Sequence, residues 1–276
     1  MKNFFNSTVK NINNMDPARI MVIGFAAVIL LGALLLNLPI ASQNGHSVGF
    51  LNALFTSTSA VCVTGLVVVD TSTYWNTLGQ AIIITLIQIG GLGFMTTATM
   101  FALLKKKKIN LRERLLIQES LNQSDLSGIV RLTRYVILIT FLIEGIGAIL
   151  LSFVFIPQFG LQSGIWYSIF HSISAFCNAG FDLMGSTSGE YTSLISYVSN
   201  PMIVITISSL IILGGIGFPV ILDMINSKKI SRLNMHSKVV LSTTVLLIVV
   251  GTLFILIVES NNPDTLGSLG FGGKFL

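Results

Sequence analysis

One passage of this chain is written twice, and the copies lie too far apart, in surroundings too alike, to be local low complexity. Phe55 to Gly65 reads FTSTSAVCVTG and Phe170 to Gly180 reads FHSISAFCNAG, so Phe, two Ser, Ala, Cys and Gly each recur 115 positions on. Each copy is followed by a long apolar run with a glycine cluster, Gly90-Gly91-Leu92-Gly93-Phe94 and Gly214-Gly215-Ile216-Gly217-Phe218, spaced by 124. The second copy has therefore gained about nine residues between its two signatures. A repeat of this size constrains the fold before any local propensity does.

The solvent for such a fold is lipid. The 276 residues are 52% hydrophobic and only 10% charged, with a mean hydropathy of +0.83, outside the range of ordinary soluble domains. Five segments hold the roughly 20 apolar residues that a spanning helix needs: 18–40, 75–104, 131–156, 199–223 and 237–259. Lipid leaves such segments no conformation but the helix, short of a closed barrel. The expected class is an all-α polytopic membrane protein of repeated span, re-entrant half-helix and span. The first apolar run begins only near Ile20 and is not closely followed by a small-residue cleavage site, so it reads as a retained span.

Basic residues orient the spans by the positive-inside bias. Lys2, Lys10 and Arg19 precede the first span, Lys105 to Lys108, Arg112 and Arg114 follow the second, and Lys228, Lys229, Arg232 and Lys238 lie between the fourth and fifth. Segments 41–74, 157–198 and 260–276 are almost free of Lys and Arg. The reading is a multi-pass cell-membrane protein with a cytoplasmic N-terminus at 1–17. A first repeat follows at 18–104, then a cytoplasmic connector at 105–130 and a second repeat at 131–225. A cytoplasmic turn, one further span and an outer segment fill 226–276. The net charge of +5 then reports topology and an anionic lipid neighbour, and no soluble basic face for nucleic acid is evident. No metal, cofactor or catalytic constellation is expected, because His46, His171 and His236 stand apart from one another and from Cys62 and Cys177. A disulfide between the two cysteines is conceivable, yet repeat-matched positions normally serve one local role twice.

Phe50 to Ala60 and Ile165 to Phe176 are too short to cross a bilayer, and each leads to a glycine. They read either as re-entrant half-helices or as outer loops with glycine turns, and their occurrence at equivalent points of both copies favours the first. A half-helix entering from outside directs its partially negative C-terminal end at the membrane centre, which favours a cation there. The stretches Val61, Cys62, Val63, Thr64, Gly65 and Phe176, Cys177, Asn178, Ala179, Gly180 can then turn carbonyls toward a pore axis, replacing an alkali cation's hydration shell.

SAVCVTGL (Ser59 to Leu66), SAFCNAGF (Ser174 to Phe181), the IGGLGF and GGIGFP stretches, and RERLLIQESLNQ (Arg112 to Gln123) resemble the pore subunits of the Ktr/Trk/HKT superfamily of potassium transporters, bacterial Ktr most closely. The resemblance implies four such units around one pore, each giving a filter strand and a glycine. It also implies potassium as the transported ion, sodium as a stimulating ion, a homodimer when full length, and a docked ring of cytosolic nucleotide-binding regulatory subunits. Glycine rather than serine at Gly65 implies potassium preference. This chain carries two complete units and a fifth span ending in GSLGFGGKFL, so the expectation is a chain truncated after about two of four repeats, without the family's gating loop. The alternative is a non-conducting membrane scaffold fragment.

Four further groups carry two readings each. Glu144, inside the third span, is either functional or a packing carboxylate that supports the filter from behind. Asp70 and Asp182 either concentrate cations at the outer mouth or are inert loop aspartates. Arg112, Arg114, Leu115 and Leu116, with Ile117 and Leu121, form either a solvated connector or the docking surface that the resemblance implies. The glycines of the two clusters read as close helix packing rather than as hinges, and neither cluster has the strand-to-helix context of a phosphate loop.

Overall fold

A computed structural model describes residues 17–93, 96–97, 99–100, 115, 117–118, 129–227, 229–262, 265–267 and 270–275. These residues are helical with no strand among them; an isolated antiparallel bridge joins Ser42 and Trp75. By its contacts the chain divides into two units, Met1–Leu142 with Ala179–Phe181, and Ile143–Asn178 with Asp182–Leu276.

The first unit is built on α1 (Pro17–Leu36), long and apolar enough to cross a membrane. A 3-10 turn at Pro39–Ala41 leads to the short α2 (Phe50–Val61), then a single turn α3 (Thr71–Tyr74), then α4 (Thr77–Leu92). Between helices in lipid there is little hydrophobic force, so their contact depends on small residues and hydrogen bonds. Gly32 of α1 supplies the first: a Cβ there would run into Ser57 Oγ of α2 and lie 2.7 Å from a Leu86 methyl of α4. Ser57 supplies the second, donating to the Ile29 carbonyl across 2.7 Å. Ala33, Leu36, Ala53, Ala60, Ile83 and Ile87 are fully buried around this junction, whereas Val22, Leu31 and Leu34 are exposed, as a lipid-facing side would be.

The second unit repeats the arrangement at the same offsets. It takes in most of the long α5 (Ile129–Phe159), then α6 (Leu161–Phe176), a single turn α7 (Gly185–Ser188), and α8 (Pro201–Ile216). Gly147 stands against Ser172 and Leu210, and Ser172 Oγ donates 2.6 Å to the Glu144 carbonyl. These positions follow Gly32, Ser57, Leu86 and Ile29 by 115, 115, 124 and 115. Asn76 caps α4 by accepting from the Gly79 N–H, and Asn200, 124 further on, caps α8 by accepting from Met202 and Ile203 N–H groups. Leu151, Phe155, Met184, Tyr197 and Ile203 form one buried cluster of this unit, and Ala175, Phe176 and Leu210 another.

Three expected boundaries change. The half-helix of the second copy begins at Leu161, one turn before the expected Ile165, because Gly164 lies inside the helix and lets the Ile156 backbone approach. The second span of each repeat is broken: α4 ends at Gly93 (φ 81°) and α8 at Gly217 (φ 88°), a left-handed backbone that glycine adopts without a Cβ penalty. Helical bonding resumes at once, with Thr97 N–H donating to Gly93 O and Ile221 N–H to Gly217 O. In the second unit the continuing helix, α9 (Phe218–Ser227), is bent 95° from α8. The packing expectation therefore suits Gly90 and Gly214, described below, but Gly93 and Gly217 break the helix instead. The long α10 (Met235–Glu259) has no buried residue in its most apolar stretch, and a final short α11 (Phe271–Phe275) closes the described residues.

Candidate functional site: two glycine-ended strands

Each short helix ends at a residue whose carbonyl is packed away, and the strand proper begins after it. A Cβ on Gly90 would collide with the Val61 carbonyl oxygen, and one on Gly214 with that of Phe176. Val61 and Phe176 are buried, at 1% and 4% exposure. Of the residues expected in the two carbonyl stretches, Val61 and Phe176 have their carbonyl oxygens packed against Gly90 and Gly214, and residues 62–65 and 177–180 follow them.

The strand backbones match closely although their side chains differ. Cys62 and Cys177 are the C-caps, at φ −83° and −71°. Val63 (φ 55°) and Asn178 (φ 59°) are left-handed, as are Gly65 (φ 74°) and Gly180 (φ 75°), with residues 64 and 179 on the ordinary side of φ. Alternation of backbone hand turns successive N–H groups to one side and successive carbonyls to the other. The first N–H groups of each strand, those of residues 62–64 and 177–178, are turned back onto the helix. Cys62 donates to Thr58 O (2.8 Å), Val63 to Ala60 O (3.3 Å) and Thr64 to Ser59 O (2.9 Å), while Cys177 donates to Ile173 O (2.9 Å) and Asn178 to Ala175 O (3.0 Å). Helix-terminal acceptors are consumed in this way, and none of these bonds occupies a carbonyl of the strands themselves. The Thr64 hydroxyl adds a bond to Ser59 Oγ at 2.9 Å.

Gly65 is demanded twice over, by its hand and by space. Within the first unit, which includes Ala179–Phe181, a Cβ on Gly65 would meet the Ala179 carbonyl oxygen and stand 3.3 Å from Gly180 Cα. Both cysteines are thiols rather than halves of a disulfide, Cys62 exposed and Cys177 half-buried.

The other expected site residues fall in mixed places. Glu144 is buried. Its bond to the re-entrant helix, however, is made by the main-chain carbonyl, and Ile29 makes the same bond in the first copy without any carboxylate. Asp70 is buried and caps α3, accepting from Ser72 and Thr73 N–H groups at 2.9 Å each. Asp182 is half-buried and accepts from Met184 N–H at 2.9 Å. Arg112, Arg114 and Leu116 lie outside the described residues, as does Leu121; Leu115 is exposed, and Ile117 is fully buried. No cluster of three or more metal-ligating side chains occurs among the described residues.

Sequence reasoning missed His171. Its Nδ1 lies 2.7 Å from the Tyr167 carbonyl and its Nε2 accepts from the Leu183 N–H at 3.3 Å. The available signal was a polar mismatch early in the repeat, His171 standing where the first copy has Thr56.

Residues 4–262 match the family model described as TrkH, cation transport protein. The chain is 45% identical over 247 residues to the potassium/sodium uptake protein NtpJ of Enterococcus hirae, covering 90% of this chain and 53% of that one. It is 44% identical over 253 residues to Ktr system potassium uptake protein B of Bacillus subtilis, covering 92% and 55%. With the protein of the same name from Vibrio alginolyticus it shares 40% over 260 residues, covering 94% and 55%. The chain thus spans about half the length of the relatives it matches. The family model covers most of the chain and the identities reach 45%, so this chain belongs to the TrkH family of cation transport proteins.

Proposed function

We propose that the chain forms two of the filter strands of a pore that carries potassium across the cell membrane. The observation that carries this reading is the repeated strand backbone, alternating in hand and ended by Gly65 and Gly180, with the N–H groups of residues 62–64 and 177–178 returned to the helix. Such a strand offers carbonyl dipoles and no ionised side chain, which suits a weakly hydrated monovalent ion. The names of relatives point to potassium, and one of them names sodium beside it; in this chain's protein sodium would act as a stimulating ion. Orientation follows the basic residues, with the N-terminus cytoplasmic and both re-entrant helices entering from outside. On this orientation Asp70 and Asp182 lie at the outer mouth, and Glu144 supports the second strand from behind. The 105–130 connector, through Arg112, Arg114, Leu115 and Leu116, meets a cytosolic nucleotide-binding regulatory ring, and the full-length subunit works as a homodimer.

The decisive experiment is Gly65→Ser in the full-length protein, expressed in cells lacking their own potassium uptake. Potassium over sodium preference falls by about tenfold, the factor equivalent to ~1.4 kcal/mol and the order of cost of left-handed backbone at an L-residue. Preference unchanged at normal membrane abundance would overturn the proposal.

A further inference from the structure

One residue that differs between the two copies of the re-entrant helix, His171 against Thr56, makes a contact that reaches beyond its own helix. Both side chains bond to the carbonyl four residues before them: Thr56 Oγ1 donates to Asn52 O at 2.9 Å, and His171 Nδ1 lies 2.7 Å from Tyr167 O. A carbonyl only accepts, so Nδ1 carries the proton and the second ring nitrogen holds a lone pair. That nitrogen receives the Leu183 N–H at 3.3 Å. The bond closes a loop of chain from 171 to 183 that contains the whole second strand, Cys177 to Gly180.

The ring is held for this task. His171 is 2% exposed, with the rings of Phe155 at 5.4 Å, Phe170 at 6.1 Å and Tyr167 at 6.4 Å. One turn earlier on the same face of α6, Tyr167 places its hydroxyl 3.4 Å from Ser186 Oγ, so two consecutive turns of the helix reach the returning chain. That returning chain is itself stiffened by Asp182, which accepts from Met184 N–H, and by Met184 O, which accepts from the Thr187 and Ser188 N–H groups. Water has little access here, so a lost acceptor is not readily replaced.

We infer that His171, as the neutral Nδ1–H tautomer, is a positioning residue for ion selection: it clasps the return chain through Leu183 N–H and so fixes the height and curvature of the second filter strand. It touches no ion. The inference rests on the filter reading above, and adds a specificity determinant outside the strand.

The test uses the full-length protein in cells lacking their own potassium uptake, with uptake of potassium and of sodium each measured against membrane abundance. His171→Phe keeps a ring and removes the acceptor, and potassium over sodium preference falls about fivefold or more, the low end for orphaning a buried donor. His171→Gln returns an acceptor amide, and preference recovers to within about twofold of the parent, which a merely space-filling role does not predict. An amide-to-ester replacement at Leu183, removing the N–H and keeping the side chain, reproduces the Phe phenotype and adds nothing to it in combination. If the parent selects potassium while both the His171→Phe and the ester proteins match it, the clasp is wrong and the filter reading stands. If the parent itself fails to prefer potassium, the filter reading falls first. Should His171→Phe not accumulate, the ester protein alone decides, and a normal ion preference there overturns the clasp.

Discussion

A methyl group added at Gly145 and one added at Gly147 should act in opposite directions, although the two residues share a helix and are separated by a single position. Nothing approaches within 4 Å of the first, so Gly145→Ala gains roughly 0.5–1 kcal/mol from reduced backbone entropy. The second is pressed between Ser172 Oγ and the Leu210 methyls, and Gly147→Ala costs about 1–3 kcal/mol. Thermal unfolding midpoints of the two purified variants in one detergent should straddle the parent. Gly32→Ala should behave as Gly147→Ala does, because the same kinds of neighbour recur around it. Gly214→Ala should be worse than either, since the obstacle is the Phe176 main-chain carbonyl, which no side-chain rotation relieves. At this scale the sequence was informative about type and uninformative about neighbour. Gly65 and Gly180 were legible as the ends of the strands because they ended both copies. The left-handed Val63 and Asn178 were not, since neither residue type announces that hand. Nor could the turning of the Val61 and Phe176 carbonyls onto Gly90 and Gly214 be read without the partner helix in place.

At the scale of elements, the caps and breaks decide where apolar sequence stops being one helix. Asn76 and Asn200 each satisfy N–H groups at a helix start. Asn200→Ala should therefore cost about 1 kcal/mol, read as a lower unfolding midpoint with ion preference intact. The unbroken apolar runs 75–104 and 199–223 concealed the breaks at Gly93 and Gly217, because hydropathy counts residues and is blind to φ. Gly217→Ala places a Cβ at φ 88° with only the Cδ of the Pro219 ring nearby, at 3.8 Å, so its cost is conformational rather than steric. A loss of about 1 kcal/mol or more is expected, again by thermal unfolding. The early start of α6 was hidden for a related reason: Gly164 reads as a loop residue, and only the adjacent Ile156 backbone explains why a helix wants a glycine there.

For the whole molecule, class was legible in composition, and orientation rests on charge. Among the described residues three helices are long and apolar enough to cross a membrane, with the bent pair α8 and α9 as a fourth candidate. The remaining expected span is represented by the sixteen-residue α4, which ends at Gly93. Orientation yields a direct check. With Cys62 and Cys177 replaced by serine, a thiol introduced at Ser231 should react with a membrane-impermeant maleimide only in opened vesicles or inside-out ones. A thiol at Thr265 should react in intact cells. The reverse pattern would invert every statement about which side the re-entrant helices enter from.

The shared backbone of the two strands also has a consequence for descent. Val63 and Asn178 adopt one hand, Thr64 and Ala179 occupy the next position, and the chain path is kept through main-chain bonds to the helix. Mutation is thus free to rewrite most letters of the strand while the glycine and the path survive. Because both copies are encoded in one gene, each can drift separately, and a single substitution alters one strand and leaves its sibling intact. The row of carbonyls can thus be altered one strand at a time, where an assembly of identical chains would have to change every strand in one stroke.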